Sequence, residues 1–256
     1  MFVGTLSSKE IFIMIEEIIL LRGLFRGCYH WGDFPKKLQS VFPKSVVTCI
    51  DIPGNGYLSS KTSPETISGM VESVRLQCRS KGGIHILAIS MGGMIGMKWA
   101  ELYPEEIESV ICINTSAKGF SPFYERLLPR NYLKVAMALV SRSFDRERAI
   151  YQMVSNQPVD FNTVHEWANY SKRYPMSVYN FWRQLSAARK FQTSRPECEL
   201  HFIVSLKDKL VNCKATKAIA SSWNIPVIMN EMDGHDIALD NSEWLVSTVS
   251  SIWLRA

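Results

Sequence analysis

The chain has 256 residues, 46% of them hydrophobic and 21% charged, with a formal net charge of +5 at pH 7. That length and apolar content suffice for one large α/β domain with a sizeable core, or a core plus an insertion, which excludes a peptide-like binder. No run reaches the ~18 uninterrupted apolar residues of a membrane-spanning helix, and the six cysteines stand singly, neither paired as in zinc sites nor dense as in secreted disulfide scaffolds; a soluble, cytoplasmic protein with reduced thiols is expected.

In chain order, the opening MFVGTLSSKEIFIMIEEIILLRG is apolar, but Glu16 and Glu17 interrupt it, so it is assigned to core strand and not to a signal peptide. Short apolar strands are predicted at 17–22, 46–51 (VVTCID), 84–89 (IHILAI), 109–114 (SVICIN), 200–205 (LHFIVS) and 227–231, with helical patterns at 64–79, 93–102, 214–223 and 241–254. Short apolar strands alternating with helices indicate a mostly parallel sheet flanked by helices. One interval breaks the alternation: 118–195 is amphipathic, rich in aromatics and without a convincing strand. A plain crossover needs far fewer residues, so this interval is an expected helical lid inserted between core segments 1–117 and 196–256.

The stretch LAISMGG places Ser90 where a buried strand ends and a helix begins, at the sheet edge where open α/β proteins bind ligands. It nearly matches the G-x-S-x-G nucleophile elbow, with Gly92 at the second small position and Ala88, one methyl larger, at the first. The Met91 amide, at a helix N-terminus, would face a developing oxyanion. A tight strand-to-helix turn that merely contains a serine is the plainer alternative for this motif alone. Further along, Asp208 follows a predicted strand end, and His235 sits in MDGHD after the last predicted strand. His85 and His201 fall inside predicted strands, and His30 and His165 lie away from the expected base position.

Taken together, Arg22-Gly23-Leu24 with Trp31, Asp51-Ile52-Pro53-Gly54-Asn55-Gly56, Ser90-Met91-Gly92-Gly93, Tyr103-Pro104-Glu105, Lys207-Asp208-Lys209-Leu210-Val211 and Gly234-His235-Asp236 occur in a familiar order. Across nearly its whole length the chain resembles the α/β-hydrolase superfamily, specifically its lidded, cofactor-free serine hydrolases. The resemblance implies Ser90 as nucleophile, His235 as general base and Asp208 as the acid that orients it. Asp233 and Asp236, which flank the histidine, are competing orienters. The resemblance also implies an oxyanion hole made by the amides of Leu24 and Met91. Arg22 stands where relatives carry a histidine; since a guanidinium accepts no hydrogen bond, the loop needs another anchor, with Asp51 or Asp33 the expected partner. Ile89 departs from the usual residue before the serine.

Phe25, Met137, Met153 and Phe181 are expected to line a substrate pocket, with Leu139 and Leu185 beside them; core packing would explain these apolar side chains equally well. No cofactor and no metal is implied. The expected reaction is cleavage of a carboxylic ester or thioester through an acyl-enzyme. Lysophospholipid or acylglycerol hydrolysis, acyl transfer and C–C bond hydrolysis with the same residues are the alternatives, as is a ligand-binding protein without turnover. Charge is uneven: 118–195 holds 13 basic residues against 5 acidic, so the rest of the chain is net −3. A solvated helical surface accounts for this; the sharper expectation is an anionic partner for the lid, either an acidic acyl carrier, an anionic substrate or a membrane surface. No nucleic-acid motif is present.

Overall fold

The structure, a computed structural model, describes residues 15–254; the part of the opening segment before Ile15 lies outside them. Six strands form one parallel sheet: β1 (Glu17–Leu21), β2 (Val46–Ile50), β3 (Ile84–Ile89), β4 (Ile107–Ile113), β5 (Glu199–Ser205) and β6 (Val227–Asn230), in spatial order β2-β1-β3-β4-β5-β6. β1, β3 and β4 are apolar and buried almost throughout, as strands covered on both faces must be. The helices are α1 (Phe34–Val41), α2 (Ile67–Arg75), α3 (Met91–Leu102), α4 (Phe123–Arg126), α5 (Tyr132–Val140), α6 (Ser143–Val154), α7 (Phe161–Arg173), α8 (Val178–Lys190), α9 (Cys213–Ser222), α10 (Ile237–Asp240) and α11 (Ser242–Trp253). The strand and helix patterns predicted from sequence reappear with ends shifted by up to a few residues. α1 has no counterpart among them; it is a short helix that starts with Pro35 in its first turn and buries Phe34 and Leu38.

Alternate residues of each strand feed two cores. One side packs Ile19, Leu21, Ile86 and Val110 against α2, α3 and α9. The other packs Ile18, Leu20, Leu87 and Ile111 against α1 and α11, where Trp253 is fully buried. Burying one such large side chain contributes ~1.5–3 kcal/mol, and the period-2 alternation of the strands fixes which side each serves. α4 to α8 lie between β4 and β5 in sequence, over the C-terminal edge of the sheet, and α6 and α7 share a small core of Tyr151, Val164 and Trp167. No helix among the described residues is long and apolar enough to cross a membrane.

The strand order turns back at β1: the chain moves outward to β2, then returns to place β3 on the other side of β1. That reversal leaves a crevice at the C-terminal ends of β1 and β3. Leu21 pairs with Ala88 across it, so the loop after β1 and the turn after β3 are neighbours by topology.

Candidate active site

Ser90 is the single residue between β3 and α3. With φ 58° and ψ −118° it occupies a backbone conformation that non-glycine residues rarely adopt; such strain concentrates at functional sites. Close packing enforces the turn. A Cβ on Gly92 would meet the carbonyl oxygens of Leu21 and Arg22 at 2.5 and 2.8 Å, so glycine is required where α3 passes β1. Ala88 is fully buried and its methyl is accommodated, because Gly96 faces it: even a Cβ built on Gly96 would stand 3.9 Å from Ala88 Cβ. The one-methyl departure at position 88 thus meets no clash from α3, and what requires glycine at 96 is Val110, whose Cγ1 would stand 2.9 Å from a Cβ there.

Met91 opens α3, so its N–H has no intrahelical acceptor. Across the crevice, a Cβ on Gly23 would lie 3.0 Å from Ser90 Cβ and 3.5 Å from Ser90 Oγ, which sets the 23–25 backbone directly against the serine. The Leu24 amide makes no hydrogen bond among the described residues. Phe25, with φ 64°, turns the loop, and its amide is held by Gln184 Oε1 of α8 at 3.4 Å.

His235 is buried after β6, and its Nδ1 meets Asp208 Oδ2 at 2.7 Å. Asp208 Oδ1 accepts from the Leu210 and Val211 amides at 2.7 and 3.0 Å, which fixes the carboxylate on its own loop. With Nδ1 engaged by the acid, the Nε2 edge is left for another partner, and His235 lines the same cavity as Ser90. No hydrogen bond joins Ser90 Oγ to His235 among the described residues; contacts of this kind often close only around substrate. Asn114, at the end of β4, secures the loop by donating to the His235 carbonyl at 2.9 Å. The flanking acids are occupied elsewhere: Asp233 accepts from Asn230 Nδ2 at 2.6 Å, and Asp236 pairs with Arg22.

That last pair corrects the expected anchor of the loop after β1. Arg22 makes a bidentate contact with Asp236 (Nη1–Oδ1 3.1 Å, with Nη2 on Oδ2) and lies 4.7 Å over the Trp31 ring. Asp51 instead accepts from the Cys28 and Tyr57 amides at 2.7 and 2.9 Å, and Asp33 is exposed next to Lys36. The reason is topological: the base loop and the loop after β1 meet over the same crevice, while Asp51 is drawn down to bare amides of its own neighbourhood. Gln184, Asn114 and the Asp236 role escape sequence reasoning, since no spacing or motif ties a side chain to a backbone group or guanidinium 100 or more positions away.

The cavity over Ser90 has a volume of about 150 Å³ and includes Phe25, Met94, Leu139, Met153, Phe181 and Leu185 in its walls. Met137 is a correction: it is 51% exposed and contributes instead to a surface groove between α5 and α6, because it lies on the face of α5 turned away from Leu139. Four arginines, Arg22, Arg26, Arg126 and Arg146, also border the cavity. Arg26 is paired with the buried Glu147 of α6 at 2.7 Å. Among the described residues Arg126 has no carboxylate partner; it donates to Ser116 Oγ and to the Ala188 and Arg189 carbonyls at the end of α8, and burial pulls its pKa down to about 10.

The comparisons with known proteins agree with this architecture. The chain belongs to the alpha/beta hydrolase fold family, whose model matches residues 18–180. No curated protein matches it in sequence. Among solved structures it is similar to a hydrolase from Oleispira antarctica (TM-score 0.73, 13% identity, covering 94% of this chain and 92% of that one). It is similar also to a hydrolase from Pseudomonas aeruginosa PA01 (0.71, 19%, 94% and 90%). A lipase-esterase related protein from Clostridium acetobutylicum gives 0.65 at 13% identity, with 93% and 95% covered. At these identities the likeness speaks for the fold.

Proposed function

We propose that this protein is a serine hydrolase that cleaves carboxylic esters or thioesters through an acyl-enzyme. The observation that carries the reading is Ser90, held in a strained turn at the crevice, in one cavity with a histidine whose far nitrogen is engaged by a buried carboxylate at 2.7 Å. In this reading His235 Nε2 takes the Ser90 proton as Oγ attacks the acyl carbonyl, and returns it to the departing alcohol or thiol. Asp208 keeps the proton on Nδ1 and stabilises the imidazolium. The Leu24 and Met91 amides receive the developing oxyanion, where one such donor contributes ~2.7–4 kcal/mol of transition-state stabilisation. Water then attacks the acyl-enzyme by the same route.

The apolar walls above Ser90 suit an acyl or aromatic group more than a polar one, in keeping with an ester or thioester substrate. The test uses a fluorophosphonate probe and p-nitrophenyl esters of increasing chain length. Wild type labels and turns over, while Ser90→Ala does neither, with kcat reduced by about 10⁶ as for a lost triad nucleophile. Equal labelling of Ser90→Ala and wild type, or no turnover of any ester by wild type, would overturn the reading.

A further inference from the structure

The cavity over Ser90 adjoins a second apolar chamber of about 600 Å³ between α4, α5 and α8; the two share Leu127, Val135, Leu139 and Phe181 as walls. The outer chamber ends among exposed aromatics, with Phe123, Tyr132 and Trp182 at its margin. α5 forms one of its walls and is unusual: YLKVAMALV carries a single charge, Lys134. Val135 and Leu139, one turn apart, face the chambers. Leu133, Met137 and Val140, at i, i+4 and i+7, form a stripe on the opposite face and are 70%, 51% and 87% exposed.

A helix that is apolar on opposite faces is expected to be buried on both, yet here one face is open. Beside the open stripe runs a groove of about 690 Å³ between α5 and α6, where Arg148 pairs with the single acid Asp145 at 3.2 Å and Lys134 and Arg142 are left unmatched among the described residues. An apolar stripe flanked by unbalanced cations matches an interface of acyl chains below and anionic headgroups above. An acidic protein surface would satisfy the cations but leave Leu133 and Val140 facing charge. We infer that the outer face of α5, with the rim of the outer chamber, is a docking surface for an anionic phospholipid membrane, from which an acyl chain passes through the chambers to Ser90. The use of that passage rests on the hydrolase reading above; the docking itself does not.

The experiment measures co-sedimentation of full-length Ser90→Ala protein with vesicles of phosphatidylglycerol or of phosphatidylcholine, so that binding is read without turnover. Phosphatidylglycerol vesicles are expected to bind at least about tenfold more tightly than phosphatidylcholine. Leu133→Glu with Val140→Glu, both on exposed positions, reduces binding by on the order of a hundredfold. Arg142→Gln with Arg148→Gln removes the preference for the anionic lipid. In the Ser90 background both double variants hydrolyse p-nitrophenyl acetate at the unmodified rate. Absence of vesicle binding, or binding that neither double variant alters, overturns the proposal. Binding to polyglutamate in place of vesicles also overturns it, in favour of an acidic protein partner. Vesicle binding by a protein without esterase activity would remove the hydrolase reading and leave the docking surface standing.

Discussion

At the scale of single residues, Arg22 shows how a substitution at a conspicuous position is absorbed. Its guanidinium joins the loop that would supply the Leu24 amide to Asp236, the residue following His235, so one buried ion pair positions two loops at once. Removing one member leaves an uncompensated buried charge, a loss of about 3–5 kcal/mol. Arg22→Gln is therefore expected to lower the melting temperature by several degrees and the fluorophosphonate labelling rate by tenfold or more. Arg22→Gln combined with Asp236→Asn, which removes both charges, is expected to recover much of the stability and little of the labelling. Full recovery of both in the double variant would show that the pair only neutralises charge. His85 makes a separate prediction. Burial against Trp253 and Ser109 lowers its pKa from 6.5 to about 4, so the ring is neutral in the fold. Between those values the unfolded chain binds the proton more readily, so stability is fully present above about pH 6.5 and is lost as pH falls toward 4. Melting curves from pH 7 to 4 should show this fall, and His85→Gln should make it shallower.

At the scale of elements, what the sequence makes legible follows from what is local. β3, the turn at Ser90 and α3 are contiguous, so apolar periodicity and two glycines locate a tight strand-to-helix turn at Ser90. Asp208 and His235 follow β5 and β6, where the resemblance to the hydrolases pairs them, and their side chains do meet at 2.7 Å. Long-range partners carry no such signature: Asp236 in place of Asp51 or Asp33, and Gln184 on the Phe25 amide, are set by how loops and helices meet in space. Met137 was misplaced for a related reason, since α5 is apolar on opposite faces and its sequence alone cannot say which one meets the cavity. Gln184 merits a test at this scale because, among the described residues, it makes the one hydrogen bond from α8 to the loop after β1, beside a ring contact of Phe181 with Phe25. It is fully buried, and its Nε2 donates to Asn55 Oδ1 and Ser63 Oγ at 2.9 and 3.0 Å while its Oε1 holds the Phe25 amide. Gln184→Ala strips partners from several buried groups, each costing ~1–3 kcal/mol. Ester turnover should fall mainly in kcat, with Gln184→Glu restoring the Phe25 acceptor and part of the rate. A variant with unchanged kcat would assign Gln184 to packing alone.

Over the whole molecule, the helices between β4 and β5 hold three separate loops of the site. Arg26 of the first loop pairs with Glu147 of α6. The Asp208 loop is fastened by Asn131, whose Nδ2 donates to the Lys209 carbonyl at 2.7 Å, and by the Leu128 amide on the Leu210 carbonyl at 3.0 Å. The His235 loop is fastened by the Asp236 amide on the Val154 carbonyl at 2.9 Å, and by Asp240, which gathers the Gly234 and Asn156 amides. A helical segment tied at all three loops holds them in place, and swinging it free of the sheet would have to break each tie. The consequence is cooperative opening. In native-state hydrogen exchange, amides of α6 should open with a free energy close to that of β3 and β4, and Glu147→Gln should lower both together by about 3–5 kcal/mol. The part of α5 beyond the Asn131 tie, where Met137 and Val140 are exposed, is the segment expected to open more easily. Exchange of α6 through a separate opening, far below the global value and unmoved by Glu147→Gln, would show instead that the helices between β4 and β5 detach as a unit and that the loops keep their geometry without them.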